Sequence, residues 1–213
     1  MDRLRGVTAT LCLLLVCAHL NAQVIEFESN GLHYLTATRN GLTIMFAPLP
    51  STVREYAVMQ VSVSNGSDRT WVIRPEDFRF ERADGIVLQA VPARTVVNQM
   101  IDKANRNDVV RLVSTYEASL YGFGRIQSTN GYEQRRQAAQ AELGSIKLKA
   151  AAAASAIAFV ETKLAPGQST DGAVFYPTDG KPLGPGRLIV RAADSLFVFD
   201  AADAPAAGKL LRR

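Results

Sequence analysis

Cysteine and histidine are almost absent from this chain. Both cysteines, Cys12 and Cys17, fall within the first 22 residues, and only His33 of the two histidines lies beyond them. Past residue 22 there is thus no disulfide, no thiolate metal site and no cysteine nucleophile. One histidine cannot build a multi-histidine metal centre within a chain, and a Ser-His-Asp triad could use only His33. No cofactor is implied. A nucleotide-binding glycine loop is also missing, because Gly122 and Gly124 follow a helical pattern rather than a strand. Basic residues form no stripe with interleaved aromatics, so no nucleic-acid partner is expected. Glu76, Asp77, Glu81 and Asp84 match no calcium-loop spacing and read as a solvent-facing edge. Asn65-Gly66-Ser67 fits a glycosylation acceptor but reads as a tight turn.

What is present begins with an export signal. Arg3 and Arg5 form a basic start, Val7 to Leu20 an apolar run, and Leu20-Asn21-Ala22 a cleavage site before Gln23. The apolar run is shorter than the roughly 18–20 residues that span a bilayer. Residues 1–22 are therefore read as a cleaved signal peptide, with no transmembrane segment left after it. A lipid anchor at Cys17 is disfavoured by the bulky Val16 before it. The product is expected to be exported, to the periplasm or to the cell surface or extracellular space. With 47% hydrophobic and 21% charged residues it can bury an ordinary core.

Residues 23–93 and 164–200 are assigned to a β-sandwich, with strand patterning visible from Gly41 onward. Gly41 to Pro48 has strand composition and is expected to stop at Pro48-Leu49-Pro50. Met59, Val61 and Val63 alternate with Gln60, Ser62 and Ser64, the period of a half-buried strand. Asn65-Gly66 and Asp84-Gly85 are hairpin signals, and Phe78 and Phe80 alternate with charged neighbours. Short antiparallel strands with frequent turns predict a sandwich.

Residues 94–163 interrupt that pattern with helical spacing. Val96, Val97, Met100, Ile101 and Ala104 lie on one helix face; Asn105 to Asp108 then reads as a break and a fresh N-cap. The pattern restarts at Val109 and stops at Gly122 and Gly124. A second helix is predicted from about Tyr132 to about Val160. Its seam of Leu143, Ile146, Ala150, Ala153, Ile157 and Val160 is shaped for another helix. The first helix is the simplest partner, giving an antiparallel hairpin, with self-association of the alanine face as the rival. At the tip, Leu120, Tyr121, Phe123, Arg125 and Ile126 are the candidate partner contacts, since apolar residues around glycines on a loop can mark a binding surface. Residues 201–213 read as a flexible tail.

Leu164-x-Pro166-Gly167-x-Ser169-x-x-Gly172-x-Val174-Phe175-x-Pro177 resembles the late strands of bacterial exported immunoglobulin-like domains of unknown function. Val61-x-Val63-x-Asn65-Gly66 resembles their earlier strands, so the likeness covers 41–91 and 163–200. It implies an extracytoplasmic immunoglobulin-like sandwich and carries no activity or site residues. The helical interruption departs from such compact domains. The expected fold is thus α+β, an immunoglobulin-like antiparallel β-sandwich interrupted by a long helical hairpin insertion. The expected function is non-catalytic, a binding or scaffolding module that contacts a protein or envelope partner through the hairpin. Two alternatives are a carrier of an apolar ligand between hairpin and sheet, and a hydrolase using carboxylates such as Asp77, Glu81 and Asp171.

Overall fold

A computed structural model describes residues 23–29, 31–108, 110–111 and 145–201. The predicted signal peptide, the predicted tip, the tail beyond Ala201 and the part of the predicted second helix before Ser145 lie outside these residues. Three consecutive antiparallel pairings, then a fourth to a distant strand, give a five-stranded sheet. Its order is β1 (Ile25–Ser29), β2 (Leu32–Arg39), β3 (Leu42–Val53), β4 (Tyr56–Asn65) and β9 (Ser169–Pro177). A four-stranded antiparallel sheet has the order β11 (Ser195–Asp200), β10 (Gly186–Ala192), β6 (Phe78–Arg82) and β7 (Val87–Gln89). A short pair, β5 (Trp71–Ile73) with β8 (Thr162–Leu164), completes the strands. The fold is thus α+β and sandwich-like, mainly antiparallel sheet.

The sandwich core follows from strand alternation. Leu42, Ile44 and Phe46 on β3, and Met59, Val61 and Val63 on β4, meet Phe78, Phe80, Leu188, Val190, Phe197 and Phe199 of the other sheet. Phe46 and Phe199 meet edge to face at 5.0 Å, the preferred arrangement of their ring quadrupoles. β4 is not half-buried as its period had predicted. Tyr56 and Val58 on its second face are also buried, beneath helices. Nor does Pro48-Leu49-Pro50 stop β3. The strand continues to Val53 across a register shift between Pro48 and Thr52, where the missing N–H groups of proline are tolerated.

Helices α1 (Ala93–Lys103) and α2 (Ile146–Ile157) form a third layer on that second face. Val96 and Met100 of α1 and Ala150, Ala154 and Ile157 of α2 pack on Tyr56, Val58, Ala173 and Phe175. Lys147, near the start of α2, donates to the carbonyl of Asp102 near the end of α1, so the helices run antiparallel. The expected continuous helix from Tyr132 to Val160 is corrected at both ends of its described part. Ser145 is extended (φ −110°, ψ 133°) and stands at the N-cap position of α2 without a side-chain cap, and Ala158 is extended again after Ile157. Of the predicted seam, Ala150, Ala153 and Ile157 are buried, whereas Ile146 is half exposed and Val160 is past the helix. The alanine face is taken up within the chain, by α1 and the sheet, rather than left for self-association.

Both ends of the helical layer attach to β9. Val91 N–H donates to Phe175 O at 3.0 Å before α1, and Phe159 N–H donates to Ala173 O at 2.8 Å after α2. Phe159 crosses so close to β9 that a Cβ on Gly172 would lie 2.6 Å from its Cα. Gly172 is thus required by contact, not by backbone conformation. Replacing it with alanine has backbone rather than a side-chain tip to displace. Gly172→Ala should cost roughly 1–3 kcal/mol in urea denaturation. It should also raise amide exchange at Phe159 more than in β10.

Candidate functional site

The helical layer is held at its far end by one arginine. The two-residue turn between β3 and β4 puts Arg54 in the left-handed region (φ 54°) and aims its side chain at the helices. Its Nη1 donates to the Lys103 carbonyl at 2.7 Å and to Asp108 Oδ2 at 3.1 Å. The first bond satisfies a carbonyl at the end of α1, one of those a helix leaves without an internal partner. The second neutralises a buried carboxylate.

Asp108 also accepts from the Asn105 N–H at 2.8 Å, while Asn105 Oδ1 accepts from the N–H groups of Asn107 (2.9 Å) and Asp108 (3.2 Å). This reciprocal arrangement is a capping box in Asn and Asp, and residues 106–108 are helical after it. The break and new N-cap read from the sequence are thus present. Missed was the contact from Arg54, which no local pattern announces.

Beyond this clamp, apolar and basic side chains share the end of the layer. Ile101, Ile146 and Leu148 are 43%, 50% and 46% exposed. Lys147 and Lys149 stand beside them in the first turn of α2, which has no acidic residue and no side-chain cap. The expected contacts Leu120, Tyr121, Phe123, Arg125 and Ile126 lie outside the described residues.

The carboxylates considered for catalysis are not brought together. Asp77 caps the backbone at Arg74 (2.7 Å), and burial raises its pKa. Glu81 takes Arg79 and Arg187, each at 2.7 Å, on the outer face of the four-stranded sheet. Asp171 is paired across the ladder with Ser62, on the outer face of the five-stranded sheet. Two sheets stacked about 10 Å apart, with the core between, separate Glu81 from Asp171. Paired glycosidase carboxylates lie roughly 5–9.5 Å apart. His33 pairs with Glu26 at 3.4 Å. Among the described residues no group of three or more His, Cys, Asp or Glu could hold a metal.

Asn65 is buried and donates to the carbonyls of Arg69 and Leu164, so its amide is engaged inside the fold. Its Oδ1 accepts from Ser67 N–H at 3.0 Å, which makes the turn side-chain-directed. Gly66 does not adopt the positive φ expected for a hairpin, and β5 pairs with β8 rather than β4.

No protein-family model matches the chain, and no curated protein does. Among solved structures, the yjhA protein from Bacillus subtilis aligns over 83% of this chain and 95% of its own. The identity is 8% and the TM-score 0.35, too slight to assign a shared fold or role.

Removing Arg54 leaves Asp108 buried without its cation. Arg54→Met should therefore destabilise the protein by about 3 kcal/mol, and Asp108→Ala by a similar amount. In chemical denaturation the double variant should fall short of the summed losses by about 1 kcal/mol or more.

Proposed function

We propose that this chain is an exported, non-catalytic binding module in which an immunoglobulin-like sandwich presents a helical hairpin to a protein or envelope partner. The observation that carries the reading is the mounting of the helical layer. Its two ends are bonded to one strand, its far end is clamped by Arg54, and apolar side chains there stay exposed. Rigid support beneath an exposed apolar end is what a recognition surface needs to avoid an ordering cost on binding. The export signal and the late-strand resemblance support the immunoglobulin-like and extracytoplasmic parts of the proposal. The dispersed carboxylates favour binding over hydrolysis.

A second reading, a ligand carrier, draws on Gln60. Its side chain is fully buried on the helix-facing side of β4, flanked by Ala47 and Ala173, and neither amide atom has a hydrogen-bond partner. A buried amide left unpaired costs about 1–3 kcal/mol. An otherwise apolar ligand with one polar end would recover that cost. Native mass spectrometry of gently purified protein should then show a bound mass that Gln60→Met loses.

For the principal reading, a photo-crosslinking side chain at Leu148 should give discrete adducts in the producing cells. The same group at Arg191, on the open face of the other sheet, should give none. Equal labelling from both positions would count against a binding role for the helical end. Recovery of the chain with its first 22 residues intact in the cytosol would remove export.

A further inference from the structure

We infer that the far end of the helical layer docks on an anionic phospholipid surface. The inference rests on the binding-module reading and names its partner. Charge is divided between the layers. Described helical-layer residues include six basic side chains, Arg94, Lys103, Arg106, Arg111, Lys147 and Lys149, against two acidic ones, Asp102 and Asp108. Asp108 is already neutralised by Arg54. In the described sandwich, acidic side chains outnumber basic ones. Five of the six basic residues belong to the far end, as do the exposed Ile101, Ile146 and Leu148. None of these five pairs with a carboxylate among the described residues.

The first turn of α2 shows what such an end is suited to. Ile146, Lys147, Leu148 and Lys149 alternate apolar and cationic, and all four are exposed. Lysines here lie at the positive end of the helix dipole, where they are disfavoured. Lys147 has a structural use, since it donates to the Asp102 carbonyl, whereas Lys149 makes no side-chain hydrogen bond or ion pair among the described residues. The local cost therefore concentrates positive potential beside exposed apolar side chains. An anionic bilayer surface is complementary to both, with isoleucine and leucine at the acyl boundary and the lysines reaching headgroup phosphates. Protein interfaces, by contrast, are depleted in lysine. Single-stranded nucleic acid would call for stacking aromatics, and the described residues of this end have none.

The test is co-sedimentation of the chain from Gln23 onward with phosphatidylcholine vesicles, with and without phosphatidylglycerol. Binding should require phosphatidylglycerol and weaken as salt rises. Lys149→Gln should lower partitioning about fivefold, as one cation near an anionic surface does. Ile146→Ser with Leu148→Ser should remove the part that resists salt. Circular dichroism should be unchanged in all variants, because the substituted side chains are exposed. No binding, equal binding to neutral vesicles, or binding indifferent to all three substitutions would overturn the inference. If vesicles fail while Leu148 still crosslinks to a discrete protein or to a second copy, the lipid partner is wrong and the binding module stands. If both fail, both are wrong.

Discussion

The structure depends on how strand β9 is shared. One edge completes the five-stranded sheet against β4, and the other accepts Val91 and Phe159, the residues that lead into and out of the helical layer. The same strand faces two cores. Val174 and Tyr176 point into the sandwich, while Ala173 and Phe175 face the helices. A sheet edge that would otherwise present unpaired backbone groups is thereby covered by its own chain. The small residues along β9 follow from this double use. Gly172 leaves room for Phe159, and Ala173 sits beneath the chain that turns out of α2.

A helix pair bonded at one end could still splay at the other. Arg54 prevents this from a turn, joining the carbonyl end of α1 and the cap of the next helical turn to the sandwich. Lys147 adds a second cation at the same carbonyl end. The helical layer is therefore restrained near both of its ends, with an alanine-rich interior that lets α2 lie close to the sheet. Its far end joins cationic and apolar surface, in contrast with the more acidic sandwich.

Legibility in the sequence tracked how many faces of each element are covered. β6 has one face in the core and one bearing Arg79 and Glu81, so its alternation was plain. β1 and β2 carry no such signal. Leu32–Arg39 buries Leu35 and Ala37 on one side and Tyr34 on the other, which erases the period. Asn40-Gly41 is a strong hairpin signal, with φ of 49° and 76°, but a turn signal identifies a hairpin only beside a visible strand period, which the segment before it lacks. The break at Asn105 was readable because capping is local chemistry. The end of α2 was not, since alanine favours helix at Ala158 and only the bridge to Ala173 overrides it. Of the candidate site, the exposed apolar residues could be listed but not grouped. The partners Arg54 and Asp108 are 54 residues apart, and no spacing rule joins them.

The pairing of β4 with β9 also bears on how the chain reaches its native state. Ser64 faces Ser169 across that ladder, 105 positions later in the chain. The meander from β1 to β4 can form from near neighbours, but its last strand waits for a distant segment, and closing so long a loop delays assembly. During synthesis or refolding, the Val58, Val61 and Val63 edge is therefore a transient hazard for pairing with other chains. The free-energy cost of closing the loop, however, grows only logarithmically with the length of the intervening segment, by about 0.6 kcal/mol per doubling. The interruption can thus vary widely in length while the sheet that closes over it stays the same.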